Sequence, residues 1–125
     1  DTSVWIDYFN GVITRETDIL DEIISHQPII MGDLILVEVL QGFRHEKEFL
    51  AAKEILSHLI FVELCGLQIA EKSAENYRAL RRQGVTVRKT IDMIIATFCI
   101  ENNLELLYSD RDFDRLGDYL GLKTI

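Results

Sequence analysis

Four carboxylates lie either at the end of an apolar segment or alone within one. They are Asp1, Glu38, Asp92 and Asp110. A charged carboxylate in a dry core is costly unless another group compensates its charge. Four such groups brought together would repel one another and take up protons, whereas a hard divalent cation would neutralise them. The residue types therefore predict a site for Mg²⁺ or Mn²⁺, which prefer oxygen ligands.

An acidic metal site of this kind suits the hydrolysis of phosphodiester bonds. A bound divalent ion orients a water, lowers its pKa and neutralises charge that develops on the phosphate and the leaving oxygen. The sequence shows no Ser-His pair, no Cys-His arrangement and no glycine-rich loop that would cradle phosphates. The carboxylates are therefore the residues to which chemistry can be assigned.

Taken one at a time, these acids have structural explanations as well. Asp92 is a favourable acid at the positive end of a helix, and Asp110 lies in the turn sequence Ser-Asp-Arg-Asp, where such residues are common. Glu38 fits a metal ligand and the partner of a buried arginine equally well. Asp1 alone indicates nothing. The prediction of a metal site depends on all four acids together. Each falls at or near a point where a strand leads into a loop or helix, with Glu38 about a turn and a half into its helix, and sites in α/β sheets form at such points.

Short apolar strands alternate with helices along the chain, which predicts an α/β fold with a central parallel sheet covered on both faces. The first residues are expected to form a short helical or turn-like segment. Residues 90–101 are predicted to form a buried helix, because 91–100 are apolar on nearly every side. The remaining predicted helices are 16–25, 34–41, 46–59, 67–83 and about 113–120; the predicted strands are 29–31, 60–64 and 104–108.

Local signals suggest how several of these helices begin and pack. Asp33 is expected to cap the helix that contains Glu38, and Thr90 the helix that contains Asp92. The helix over 67–83 is expected to pack through the face that carries four residues at helical spacing, namely Ala70, Ala74, Tyr77 and Leu80.

The composition indicates one ordinary globular domain over residues 1–125. No apolar run is long enough to span a membrane, and no export signal is visible, so a cytoplasmic protein is expected. Cys65 and Cys99 form no Cys-x-x-Cys pair, and their apolar surroundings predict two reduced, buried thiols. The three histidines lack the spacing of a zinc site. The net charge of −8 argues against binding nucleic acid by bulk electrostatics.

The four acids lie in motifs that resemble those of PIN-domain ribonucleases, and more closely those of VapC toxins of bacterial toxin–antitoxin pairs. The motifs are DTSVWIDYFNG at the start, VEVLQGF around Glu38, TIDMIIA around Asp92 and LLYSDRDFD around Asp110. They occur in order along essentially the whole chain. One departure is that family members have an apolar strand before the first acid, and this leading strand is absent before Asp1.

The resemblance implies a three-layer α/β/α fold and an endoribonuclease that depends on Mg²⁺ or Mn²⁺ and acts on RNA, often tRNA. It implies a catalytic and metal-binding quartet of Asp1, Glu38, Asp92 and Asp110, with Ser3 supporting Asp1. It also implies a VapB-type antitoxin partner and a toxin homodimer. Asp112 and Asp114 are interpreted as surface charges of the turn.

Cations near the acids offer contacts for RNA phosphates in spite of the negative net charge. Arg88 and Lys89, just before Asp92, are the favoured candidates. Arg81 and Arg82 fit a solvated helix face better, and Arg111 is a further cation beside Asp110.

Three other functions compete with this one. A receiver-like phosphoacceptor domain also has an acidic Mg²⁺ pocket, but it needs paired acids at one strand end and a lysine after a late strand. A catalytically inactive PIN-like interaction module is argued against by the complete quartet. A deoxyribonuclease or flap-type nuclease would carry substrate-handling parts for which this chain is short.

Overall fold

Helices and short strands alternate through the computed structural model, which describes residues Asp1–Ile125. The chain divides into two compact units, Asp1–Glu63 and Leu64–Ile125. The first unit contains α1 (Thr2–Phe9), α2 (Arg15–Ile23), β1 (Ile30–Gly32), α3 (Asp33–Leu40), α4 (Glu46–Leu56) and β2 (Ile60–Val62). The second contains α5 (Leu67–Arg82), α6 (Thr90–Glu101), β3 (Glu105–Leu106), α7 (Asp112–Leu120) and β4 (Lys123–Thr124).

The strands pair in parallel, as the alternation of strands and helices predicts. β1 pairs with β2, and β3 pairs with β4. Parallel neighbours need a crossover connection, which α3 and α4 provide in the first unit and α7 in the second. The α/β class and the parallel pairing are thus confirmed. The strands form two separate two-stranded sheets, one in each unit, and they are shorter than the predicted runs.

Two helices at the start of the chain are held by side-chain caps. Asp1 is the N-cap of α1, since its side chain accepts a hydrogen bond from the backbone N–H of Val4. Thr14 and Thr17 form a reciprocal capping box at the start of α2. Val4 and Trp5 are buried, and aromatic rings of α1 pack on one another. The predicted helical start of the chain is therefore confirmed.

The caps predicted for α3 and α6 are wrong. The N-cap of α3 is Gly32, and Asp33 is the first helical residue, with its Oδ1 accepting from the backbone N–H of Leu34 at 2.8 Å. The N-cap of α6 is Lys89, so Thr90 begins the helix instead of capping it. Neither Gly32 nor Lys89 has a side chain that can accept a hydrogen bond, and both have the extended backbone that is typical of an N-cap.

α6 is the buried helix that its sequence predicts. None of residues 91–100 is exposed, and Ala96 and Thr97 are completely buried. α5 packs against it, and the predicted face of α5 is only partly correct: Leu80 is buried, but Ala70 and Ala74 are exposed. The other buried residues of α5 are the polar Ser73 and Asn76.

The burial of polar residues on α5 has a clear physical reason at one position. Asn76 Nδ2 donates a hydrogen bond of 3.1 Å to Thr97 Oγ1 on α6, and both side chains are buried. A buried amide is costly only when it lacks such a partner. The pair therefore lets a polar face of α5 pack where apolar periodicity predicts another face.

Helix ends and one strand also differ from the predictions. α4 ends at Leu56, three residues before the predicted end, and β4 was not predicted at all. α7 ends at Leu120, because the next residue, Gly121, has a left-handed backbone (φ 77°) that stops the helix. No helix is both long and apolar enough to cross a membrane.

Candidate functional site

The first unit places Asp1 and Glu38 on either side of Thr2. Asp1 precedes Thr2 in the chain, and Thr2 Oγ1 donates a hydrogen bond of 2.7 Å to Glu38 Oε1. Since Glu38 is the sixth residue of α3, this bond joins the first turn of α1 to α3. Thr2 was not predicted as a site residue. The sequence feature that could have indicated it is a hydroxyl-bearing residue directly after the first acid.

Ser3 holds the carboxylate of Asp1. Its Oγ lies 2.9 Å from Oδ1 and 2.8 Å from Oδ2 of Asp1. Together with the N-cap bond from Val4, this contact fixes the direction of the Asp1 side chain. The contact is the kind of support that the family resemblance implies for Ser3.

Glu38 has no arginine partner. Its carboxylate is half-buried and accepts its hydrogen bond from Thr2, and none of the ion pairs in the chain involves it. Of the two explanations for an acid inside this apolar helix, the buried Glu–Arg pair is therefore excluded. The metal-ligand explanation stays a prediction.

In the second unit, Asp92 and Asp110 each lie at the start of a structural element. Asp92 is half-buried in the first turn of α6, where the helix dipole favours a negative charge. Asp110 Oδ1 accepts a hydrogen bond of 3.0 Å from the backbone N–H of Asp112. Asp110 therefore stabilises the turn that leads into α7, as its explanation as a turn residue requires. This contact does not exclude metal binding by Asp110.

Arg88 lies beside these acids and is paired with Asp112. Its Nη2 and Nε donate to Asp112 Oδ2 at 2.8 Å and 3.3 Å. The hydrogen bond and charge of Asp112 raise the pKa of Arg88. Desolvation opposes this rise, and the charges of Asp110 and Asp92 add smaller contributions to it. Asp112 was interpreted as a surface charge of the turn. It is only partly exposed, and it is the partner of Arg88.

The other predicted positions are placed as follows. Lys89, the second candidate RNA contact, is exposed at the N-cap of α6 and makes no ion pair. Asp114 is exposed and accepts a hydrogen bond of 2.9 Å from the hydroxyl of Tyr108. Arg81 lies over the ring of Tyr77, with its guanidinium carbon 5.6 Å from the ring centroid.

Both cysteines are free thiols, as predicted, but the predicted burial of Cys65 is wrong, because its side chain is exposed. Cys99 is buried in α6, and burial raises the pKa of its thiol to about 11. A thiol that stays protonated at neutral pH is a poor nucleophile. The structure thus gives no reason to assign cysteine chemistry to this protein.

The donor set of the four predicted acids fits a hard divalent cation. All four are carboxylates, and the set contains no cysteine or histidine, the ligands that favour zinc. No group of three or more histidine, cysteine, aspartate and glutamate side chains that could hold a metal ion occurs in the structure. The four-acid site therefore stays a prediction, drawn from residue type and from the positions of the acids along the chain.

A groove of about 600 Å³ between α5 and α6 has no part in this chemistry. It is lined by charged side chains such as Glu71, Lys72 and Glu75, and none of the predicted site residues lines it.

Comparison with known proteins identifies the family. The model of the PIN domain family matches residues 1–119, so the chain belongs to the PIN domain family. Two relatives are VapC ribonuclease Mb1587 of Mycobacterium bovis and Ribonuclease VapC11 of Mycobacterium tuberculosis. Each is 28% identical to this chain over 126 residues, which cover 99% of this chain and 94% of the relative. The resemblance to PIN-domain VapC ribonucleases is confirmed.

A solved structure has the same fold. It is the crystal structure of VapBC2 from Rickettsia felis bound to a DNA fragment from their promoter. The TM-score is 0.78 and the identity 18%, with 100% of this chain and 94% of that chain covered. Family membership excludes the receiver-domain alternative.

Proposed function

We propose that this protein is the toxin of a toxin–antitoxin pair and an endoribonuclease that uses Mg²⁺ or Mn²⁺. The observation that carries the proposal is the similarity to ribonucleases named VapC over 99% of the chain. The proposed metal-binding and catalytic residues are Asp1 and Glu38 of the first unit and Asp92 and Asp110 of the second. When bound, a divalent ion would supply an activated water and neutralise charge on the phosphate.

The residues around the four acids support this proposal because they fix carboxylate orientation. Ser3 holds Asp1, Thr2 holds Glu38, and the backbone N–H of Asp112 holds one oxygen of Asp110. Such supporting contacts set ligand direction and basicity in metal sites. Asp92 lies in the first turn of α6, where the positive end of the helix dipole attracts negative charge.

The proposed substrate is RNA, with tRNA as the expected class, and the proposed partners are a VapB-type antitoxin and a second copy of the chain. The VapBC2 structure supports the antitoxin partner, because a chain of the same fold occurs there in a VapBC assembly. The proposed location is the cytoplasm, where RNA is found and where free thiols such as Cys65 and Cys99 stay reduced.

The test is the Asp92→Asn variant in cleavage and growth assays. We expect the native protein to cut RNA only with a divalent ion and to arrest growth, and the variant to do neither while it stays folded. Asp18→Asn is the matched control, because Asp18 is an exposed acid in the first turn of α2. Unchanged RNA cleavage by Asp92→Asn would overturn the proposal.

Two further measurements define the substrate. Cleavage of RNA, single-stranded DNA and duplex DNA under identical conditions separates a ribonuclease from a deoxyribonuclease or flap-type enzyme. Sequencing the 5′ ends of RNAs cut after brief expression identifies the target, and ends that map outside tRNA would overturn the tRNA assignment.

A further inference from the structure

Arg88 has an unusual position for an exposed arginine. Its side chain is 76% exposed, yet its guanidinium is fixed, because two N–H groups donate to one oxygen of Asp112. A guanidinium carries five N–H donors, so three are left for another ligand. The group is thus oriented and still able to bind.

The same aspartate connects Arg88 to the proposed catalytic acids. The side chain of Asp112 accepts from Arg88, and its backbone N–H donates to Asp110 Oδ1. The guanidinium of Arg88 is therefore joined to Asp110 through the side chain and backbone of Asp112. The charges of Asp110 and Asp92 also raise the pKa of Arg88, but less than Asp112 does.

Stability does not account for this arrangement, because exposed ion pairs contribute little to folding. Substrate binding would account for the arrangement of Arg88 and Asp112. RNA is a polyanion, and a chain with a net charge of −8 whose site consists of carboxylates repels it. A fixed cation next to those carboxylates offers the phosphate an attractive contact where the chemistry takes place.

We propose that Arg88 binds a backbone phosphate of the RNA substrate and that Asp112 is the positioning residue that directs its guanidinium. This deepens the ribonuclease function proposed above and rests on it. Arginine suits the role better than the neighbouring Lys89, because its planar fork binds phosphate oxygens through two parallel hydrogen bonds. Lys89 is exposed and has no ion-pair partner to direct it.

The first test measures RNA binding without cleavage. A fluorescent single-stranded RNA is titrated with Asp92→Asn protein that also carries Arg88→Ala, over a series of salt concentrations. We expect roughly tenfold weaker binding, the size of effect that follows loss of a charge-assisted hydrogen bond. The slope of log affinity against log salt should fall by about 0.7, the value for one phosphate contact on a single strand.

Asp112→Asn separates positioning from net charge. The change removes one negative charge and keeps the backbone N–H that holds Asp110. Electrostatics alone would tighten RNA binding in this variant, whereas loss of a directing partner for Arg88 would weaken it. We expect weaker binding with a salt slope close to that of the parent, and tighter binding would overturn the role of Asp112.

Two matched variants complete the experiment. Arg88→Lys keeps the charge and loses the fork, so its affinity should lie between those of the parent and Arg88→Ala. Arg78→Ala removes an exposed arginine of α5 and should leave the salt slope unchanged. Equal effects of Arg78→Ala and Arg88→Ala would overturn the assignment, because they would show a general charge effect.

Cleavage kinetics in the otherwise native protein test the role of Arg88 separately from the proposed ribonuclease function. Arg88→Ala should raise KM for RNA roughly tenfold and change kcat little. Native protein that cleaves while Arg88→Ala has an unchanged KM would overturn the role of Arg88 alone. Native protein that cuts no RNA would overturn the proposed function, and the binding titration would still decide whether Arg88 contacts phosphate.

Discussion

The hydroxyl of Thr2 donates a 2.7 Å hydrogen bond to Glu38, a residue 36 positions further along the chain. The bond explains why a charged residue is tolerated in the apolar helix α3. It also makes Thr2 the residue that orients a proposed metal ligand. This contact leads to the first prediction.

Thr2→Val should reduce metal-dependent RNA cleavage, because the replacement keeps the shape of the side chain and removes the donor. Loss of a supporting contact to a metal ligand typically costs about tenfold to a hundredfold in activity or metal affinity. Thr2→Ser keeps the hydroxyl and should retain most of the activity. Cleavage rates measured over a Mg²⁺ series check this, and equal rates for Thr2→Val and the native protein would contradict it.

Divalent ions should stabilise the folded protein through the four acids. A ligand that binds only the folded state raises the unfolding free energy, by about 2.7 kcal/mol at a hundred times its Kd. Thermal unfolding at increasing Mg²⁺ or Mn²⁺ should therefore show a rising Tm for the native protein and a much smaller rise for Asp92→Asn. The Asp18→Asn control should behave as the native protein does, and an equal rise in all three would refute the metal assignment.

The buried pair Asn76–Thr97 should show strong coupling. Asn76→Leu or Thr97→Val alone leaves one buried partner unsatisfied and should cost about 1–3 kcal/mol of unfolding free energy. The double variant removes both polar groups, so it should lose less than the sum of the two single losses. Urea unfolding of all four proteins gives the coupling energy, and additive losses would show that the 3.1 Å contact contributes nothing.

Cys99 should make stability fall at high pH. The folded-state pKa of about 11 lies above the ordinary value of 9.0, so the folded protein holds a proton that the unfolded chain releases. This contribution is complete below about pH 9 and is lost as the pH rises through about pH 11. The loss amounts to about 3 kcal/mol, since each pKa unit corresponds to about 1.4 kcal/mol.

Comparison of the native protein with Cys99→Ala isolates the contribution of that thiol from other groups that titrate in the range. The difference in unfolding free energy between the two proteins should shrink as the pH rises from about 9 to about 11. A constant difference would show that the thiol is not protected by burial. At neutral pH an alkylating reagent should modify the exposed Cys65 and spare Cys99.

Residue type and apolar patterning were enough for much of the fold. The buried helix α6 could be predicted because residues 91–100 are apolar on nearly every side, and the alternation of strands and helices was enough for parallel pairing. The packing face of α5 could be predicted at Leu80 but not at Asn76, because the Asn76–Thr97 bond buries an amide that a polarity pattern assigns to solvent. Strand β4 is only two residues long and has no apolar signal.

The candidate site, like the fold, could be predicted only in part. The four carboxylates could be proposed from residue type and from their places at strand and helix ends. The contacts of Thr2 with Glu38 and of Arg88 with Asp112 join residues 36 and 24 positions apart, and local sequence does not encode such pairings. Caps depend on backbone conformation, which is why Gly32 and Lys89 hold the cap positions expected of Asp33 and Thr90.

The polar contact between α5 and α6 has a consequence for the accuracy of the proposed catalytic geometry. Apolar side chains tolerate sliding of one helix along another, but a slide of one turn would separate Asn76 from Thr97 and leave two buried polar groups without partners. The contact thus favours a single position of α5 along α6. Asp92 is five residues before Thr97 on the same helix. The contact therefore also fixes the position of the Asp92 carboxylate along the α6 axis relative to α5.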